Sequence, residues 1–182
     1  MDALRQDEYY AYEDWLDLDD GNRYELLNGE IRMMSEPSRR HQEIVMEMSR
    51  QIANFLVGKS CRVYPAPFGV RLHNKKDTAF QPDITVVCDP SKLSDKGCVG
   101  APDLIAEILS PSTAEYDKVV KFNQYLQAGV REYWIVDPDS KTVSVHILKD
   151  AEYVVRQFAQ GDTIKVHVLD GCEIVLSHVF AE

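Results

Sequence analysis

Three stretches in the middle of the chain are almost wholly apolar: DITVVC at 83–88, DLIAEIL at 103–109 and EYWIV at 132–136. Runs of this length without alternation predict strands covered on both faces. Between the second and third, the S-x-x-E spacing of Ser112 and Glu115 predicts a capped helix from about Thr113. Val119, Phe122 and Leu126 would form its core face, with Gly129 as its C′ residue. Upstream, Ile44, Val45, Met48, Ile52 and Phe55 follow Pro37-Ser38 with a 3.6-residue period, the pattern of a long amphipathic helix. Asn28-Gly29 predicts a two-residue hairpin turn, with Leu27 opposite Glu30 and Glu25 opposite Arg32. Tyr9, Tyr12 and Trp15 predict an N-terminal helix over residues 5–18. Residues 62–70 and 71–73 read as strand segments, 89–102 as a loop, and 141–176 as shorter strands joined by turns. Strand, helix and strand in the middle with hairpins around them indicate one mixed α/β sheet flanked by helices.

Composition agrees with a folded single domain of residues 1–182: 45% of residues are hydrophobic and 27% charged. Residues 1–20, an acidic segment, hold one base and no apolar run, so no export signal is expected there. No stretch approaches the roughly 20 apolar residues of a membrane helix, and a cytoplasmic location is expected. Cys61, Cys88, Cys98 and Cys172 lack CxxC spacing. They read as buried or incidental thiols rather than a zinc site or a disulfide framework.

The net charge of −10 argues against a protein that grips a polyanion by bulk charge. Its distribution alters that reading. Residues 1–20 carry eight acids and one base, whereas residues 39–76 carry eight bases and two acids. Those bases are either solvated faces or a phosphate-tracking strip beside an active site.

Charged side chains inside covered strands are costly unless paired or bound to a metal. Glu107 lies within one such run and Asp83 opens another. If the strands are neighbours, the two carboxylates converge at one sheet edge and suit Mg²⁺ or Mn²⁺. The plainer alternative is that Asp83 caps a turn and Glu107 pairs with a buried base. Asp117, Lys121 and Tyr125 form one helical stripe that either looks back at Glu107 or carries a surface ion pair. Glu25 and Arg32 could form an exposed cross-strand pair. His41 shares a helical face with Val45, Met48 and Ile52, so a packing histidine is its default reading.

Pro82-Asp83 followed by Glu107 resembles the PD-(D/E)xK signature of the restriction-endonuclease-like superfamily. More specifically, the chain is similar to a widespread bacterial family of small endonucleases long catalogued as a domain of unknown function. The resemblance rests on RYELLNGE at 23–30, His41, QPDI at 81–84 and APDLIAEILSPST at 101–113. It continues through D-x3-K-x3-Y at 117–125 and GVREYWIVDP at 129–138. It implies a restriction-endonuclease-like mixed sheet flanked by helices, with extra N- and C-terminal strands. It also implies a nuclease site with Asp83 and Glu107 as metal ligands, Glu25 beside them, and His41 as a phosphate contact or proton carrier. Leu109 stands where the E-x-K lysine would be, and Lys121 reads as its migrated replacement. The expected function is Mg²⁺- or Mn²⁺-dependent hydrolysis of DNA, with RNA left open, no membrane partner, and a homodimer as one arrangement for cutting duplexes. The rival is a non-catalytic binding module that keeps the fold, which Leu109 and the overall acidity favour.

Overall fold

The three apolar runs become neighbouring strands. The computed structural model describes residues 8–72 and 77–181. In chain order it contains α1 (Tyr12–Leu16), β1 (Tyr24–Leu27), β2 (Glu30–Met33), α2 (Arg39–Leu56), β3 (Arg62–Pro65), β4 (Val70–Arg71), β5 (Ala79–Phe80) and β6 (Ile84–Val87). Then follow β7 (Leu93–Ser94), β8 (Gly97–Val99), β9 (Leu104–Ile108), and α3 (Phe122–Ala128), entered through a π-helical segment, Tyr116–Lys121. The chain closes with β10 (Glu132–Asp137), β11 (Thr142–Lys149), β12 (Glu152–Ala159), β13 (Thr163–Lys165), β14 (Glu173–Val175) and α4 (Leu176–Val179).

The main sheet has the order β12-β11-β10-β9-β6-β3. Only β9 and β10 run parallel, joined by the helix between them, and the other pairs are antiparallel. One face carries Ile84, Val86, Leu104, Ala106, Trp134 and Val136 into a core shared with α2, α4 and β14. The period of two sends Val87, Ile105, Leu109, Tyr133 and Ile135 to the opposite face, against Phe80, Phe122 and Tyr125. Both faces are covered, which is why these strands read as continuous apolar runs.

The expectation of a single sheet is corrected. A second six-stranded sheet, β2-β1-β5-β4-β8-β7, lies beside the first, and β13-β14 form a separate ribbon. The presumed loop 89–102 contributes β7 and β8 to that second sheet. Its strands are two to four residues long, too short for a readable period, and β5 finds β1 some fifty residues away. The N-terminal helix is also shorter than expected. It spans only Tyr12–Leu16, because the Tyr10 amide donates to the Gly29 carbonyl and ties the preceding chain to the hairpin. Residues 5–7 of the expected helix, and His73 with Lys75 and Lys76 of the basic stretch, lie outside the described residues.

Two of the cysteines are not free thiols. The register setting Arg62 opposite Val87 brings Cys61 beside Cys88, and the two form a disulfide. Cys98 and Cys172 are buried and free, as expected. Among the described residues no helix is long and apolar enough to cross a membrane.

Candidate active site

β6 and β9 pair antiparallel with Ile84 opposite Ala106, and the same register continued one step sets Asp83 opposite Glu107. The period of two that buries Ile105 and Leu109 against the helical segment turns Glu107 the same way. The two carboxylates therefore meet at one sheet edge, both largely buried. They line a cavity of about 580 Å³ that also receives Glu25 from β1, His41 from α2, and Lys121 from the π-helical segment. All five sequence-selected residues are brought together.

Lys121 is the hub. Its ammonium lies 2.8 Å from Glu25 Oε1, 2.9 Å from Glu107 Oε1 and 3.3 Å from Asp117 Oδ1. The alternative of a surface Asp117–Lys121 pair is excluded, because both side chains are buried. The exposed cross-strand pair of Glu25 with Arg32 is excluded too. The register is as expected, with Glu25 opposite Arg32, but Glu25 turns to Lys121 while Arg32 lies over the Tyr116 ring at 3.9 Å. The expected core face of the helix is corrected in part, since Phe122 packs against the core as expected but Val119 does not. Val119 is exposed, whereas Asp117, Lys121 and Tyr125 are buried. No capping box forms, and Ser112 Oγ instead meets Ser35 and Ser110.

Electrostatics follow from this packing. Burial pushes the Glu107 carboxyl well above the usual carboxylate range, and Asp117, Asp83 and Glu25 push it further while Lys121 opposes them. Burial alone would lower the Lys121 pKa, but Glu107, Glu25 and Asp117 outweigh it and hold the ammonium well above its ordinary value. Burial likewise raises Asp117. Four buried acids, three of them in contact with Lys121, share one lysine, an excess of acidic groups in a place that solvates charge poorly.

The pattern of hydrogen bonds bears on what would relieve that excess. Asp83 accepts from the Ile108 amide (2.8 Å) and meets His41 Nε2 (3.1 Å), both at Oδ2. Glu107 accepts from Lys121 and from the Tyr125 hydroxyl (2.7 Å), both at Oε1. Among the described residues, the hydrogen bonds given to these two side chains spare Asp83 Oδ1 and Glu107 Oε2. Two such oxygens, with waters and a phosphate, match how Mg²⁺ is usually held. Among the described residues no group of three or more His, Cys, Asp or Glu side chains is gathered to ligate one metal ion. The fit is thus to a cation that keeps most of its coordination for water and substrate.

Among the described residues, the bases of the stretch 39–76 do not form one strip. Arg39 pairs with Glu43 and Arg50 with Glu47. Arg62 donates to carbonyls just past α2, and Arg71 lies over Tyr12. Among the described Lys and Arg side chains of that stretch, Arg40 alone lines the cavity, which draws Arg23, Arg32 and Lys118 from elsewhere. Sequence reasoning also gave Tyr125 and Asp117 no role in the site, although their i, i+4, i+8 spacing with Lys121 was the available signal.

Comparison with known proteins agrees with this architecture. Residues 7–177 match the model of the Uma2 family, described as "Putative restriction endonuclease". The chain is 26% identical over 146 residues to the uncharacterized protein slr1290 of Synechocystis, covering 79% of this chain and 76% of that protein. A second Synechocystis protein, sll1609, is 28% identical over 62% of this chain and 65% of its own length. Among solved structures, one titled as a putative nuclease belonging to DUF820, from Anabaena variabilis, superposes with a TM-score of 0.76. It is 20% identical, with 94% of this chain and 97% of that one covered.

Proposed function

The chain belongs to the Uma2 family, of restriction-endonuclease-like fold, and from that premise we propose that it is a Mg²⁺- or Mn²⁺-dependent endonuclease acting on DNA in the cytoplasm. The observation that carries the reading is the pair Asp83 and Glu107, each with one oxygen engaged by the protein and the other spared, beside the buried acids Glu25 and Asp117. A divalent cation held there would acidify a bound water and offset charge on the phosphate. Asp83 and Glu107 are its ligands in this reading. His41 holds Asp83 by its second oxygen, and Glu25 and Asp117 fix the Lys121 ammonium. Lys121 offsets the charge of Glu107 and of the phosphate during attack.

Cleavage of plasmid and oligonucleotide DNA with Mg²⁺ or Mn²⁺ tests this. Asp83→Ala is expected to abolish activity, and Lys121→Ala to lower it by about 10²–10³-fold, the range for removing one group that stabilises developing charge. Wild type inert on every DNA form, or cleavage unchanged in Asp83→Ala, would sink the reading. Leu109, buried in the apolar cluster, keeps a second reading in view: a nuclease fold retained for binding alone. Calorimetric titration with Mn²⁺ separates the two, since a degenerate module shows no binding that depends on Asp83 and Glu107.

A further inference from the structure

We infer that the cavity face of the β1–β2 hairpin is a clamp for backbone phosphates beside the scissile one, with Arg23 and Arg32 as its donors. The inference rests on the endonuclease reading for the identity of the strand. Alternation along β1 puts Arg23 on the same face as Glu25, and the register puts Arg32 across from Glu25. Both arginines line the cavity. Neither guanidinium is used up by the protein. Arg32 lies over the Tyr116 ring, with its natural cross-strand partner Glu25 already committed to Lys121. Arg23 donates through Nε to Gln81 (3.0 Å), while its Nη2 is buried with no acceptor among the described residues. Arg40, on the same cavity, donates Nη1 to the Ala181 carbonyl (2.6 Å) and leaves Nη2 in the same condition.

A buried N–H without an acceptor is costly, and a phosphate oxygen is the acceptor a guanidinium fork fits best. Charge balance points the same way. Glu25, Asp83, Glu107 and Asp117 outnumber Lys121 on the cavity wall, and the negative charge they carry would repel a polyanion. Arg23 and Arg32, with Arg40 at 3.8 Å from Glu43, set positive charge against them where the strand must approach.

Binding is measured by anisotropy of a fluorescein-labelled DNA duplex of about 20 base pairs, in EDTA so that no cleavage intervenes, across a range of salt. Arg23→Gln and Arg32→Gln are each expected to weaken binding about tenfold and to flatten the log–log salt slope by about 0.9, one phosphate contact apiece. Arg39→Gln, outside the cavity, leaves both unchanged. Arg32 is exposed, so its variant tests the clamp with the fold not at stake. Wild-type affinity and slope retained in both variants overturn the clamp, as does failure of wild type to bind at low salt. Inorganic phosphate competing as well as DNA would make it a free-anion site and likewise overturn it. Cleavage with Mg²⁺ run in parallel keeps the readings apart. Arginine-dependent binding without cleavage removes the nuclease and keeps the clamp, and cleavage with binding indifferent to both arginines does the reverse.

Discussion

Lys121 is held by three carboxylates within 3.3 Å and has almost no contact with water. Such a charge stays buried only while its partners stay with it, and the partners depend on it equally. Lys121→Met is therefore expected to cost about 3–5 kcal/mol at neutral pH, read from urea unfolding. The pH dependence has a definite sign. Burial raises the Glu107 and Asp117 carboxyls in the folded state, so the fold binds more protons than the unfolded chain above the ordinary carboxylate range. Stability from these groups is present at acid pH and is lost as pH rises through their folded values. Removing Lys121 raises those values further, so the deficit of the variant should be smallest in acid and widen with pH. A deficit independent of pH would mean that the carboxylates do not share the lysine's charge.

At the level of elements, α2 was legible in its start after Pro37-Ser38 and in its apolar face. Its apolar period is regular, and Ser38 accepts from the His41 amide as the N-cap. The helix after β9 was legible in place but not in orientation. A polar stripe is buried there because Glu25 and Glu107 arrive from two other strands to neutralise it, and no local pattern encodes their arrival. The second sheet was likewise unreadable beyond its β1–β2 hairpin, although one glycine betrays its tightness. A Cβ on Gly97 would stand 2.1 Å from the Gly69 carbonyl oxygen, at φ +133°, where the Cys98 amide bonds that same carbonyl. Gly129 has a left-handed φ of +84° but open space around it. Gly129→Ala should cost about 1–2 kcal/mol, the left-handed penalty alone. Gly97→Ala should cost clearly more, because backbone rather than a side chain must move. Urea midpoints of the two variants give the comparison, and equal losses would refute the close approach.

For the whole molecule, the Cys61–Cys88 bond closes a loop of 27 residues that spans β4 and β5 of the second sheet and ends at the edge of the first. Loop closure of this length constrains the unfolded chain by about 3–4 kcal/mol. Reduction, or the double replacement of both cysteines by alanine, is expected to lower the unfolding free energy by that order while leaving the site residues in place. Differential scanning calorimetry with and without reductant measures it, and an unchanged transition would refute the link.

What the sequence determined by itself was the set of strands covered on both faces, the long amphipathic helix, the hairpin with its register, and the acids that had no business in apolar strands. These are local properties: period, turn chemistry, and the cost of charge in an apolar run. The tertiary structure alone decided that the described strands form two six-stranded sheets and a ribbon, that Arg23 and Arg32 join Arg40 at the site, and that Lys121 faces inward. Each of those outcomes depends on partners distant in sequence. The free energy of a buried charge is set by what surrounds it, and that is known only once the chain has folded.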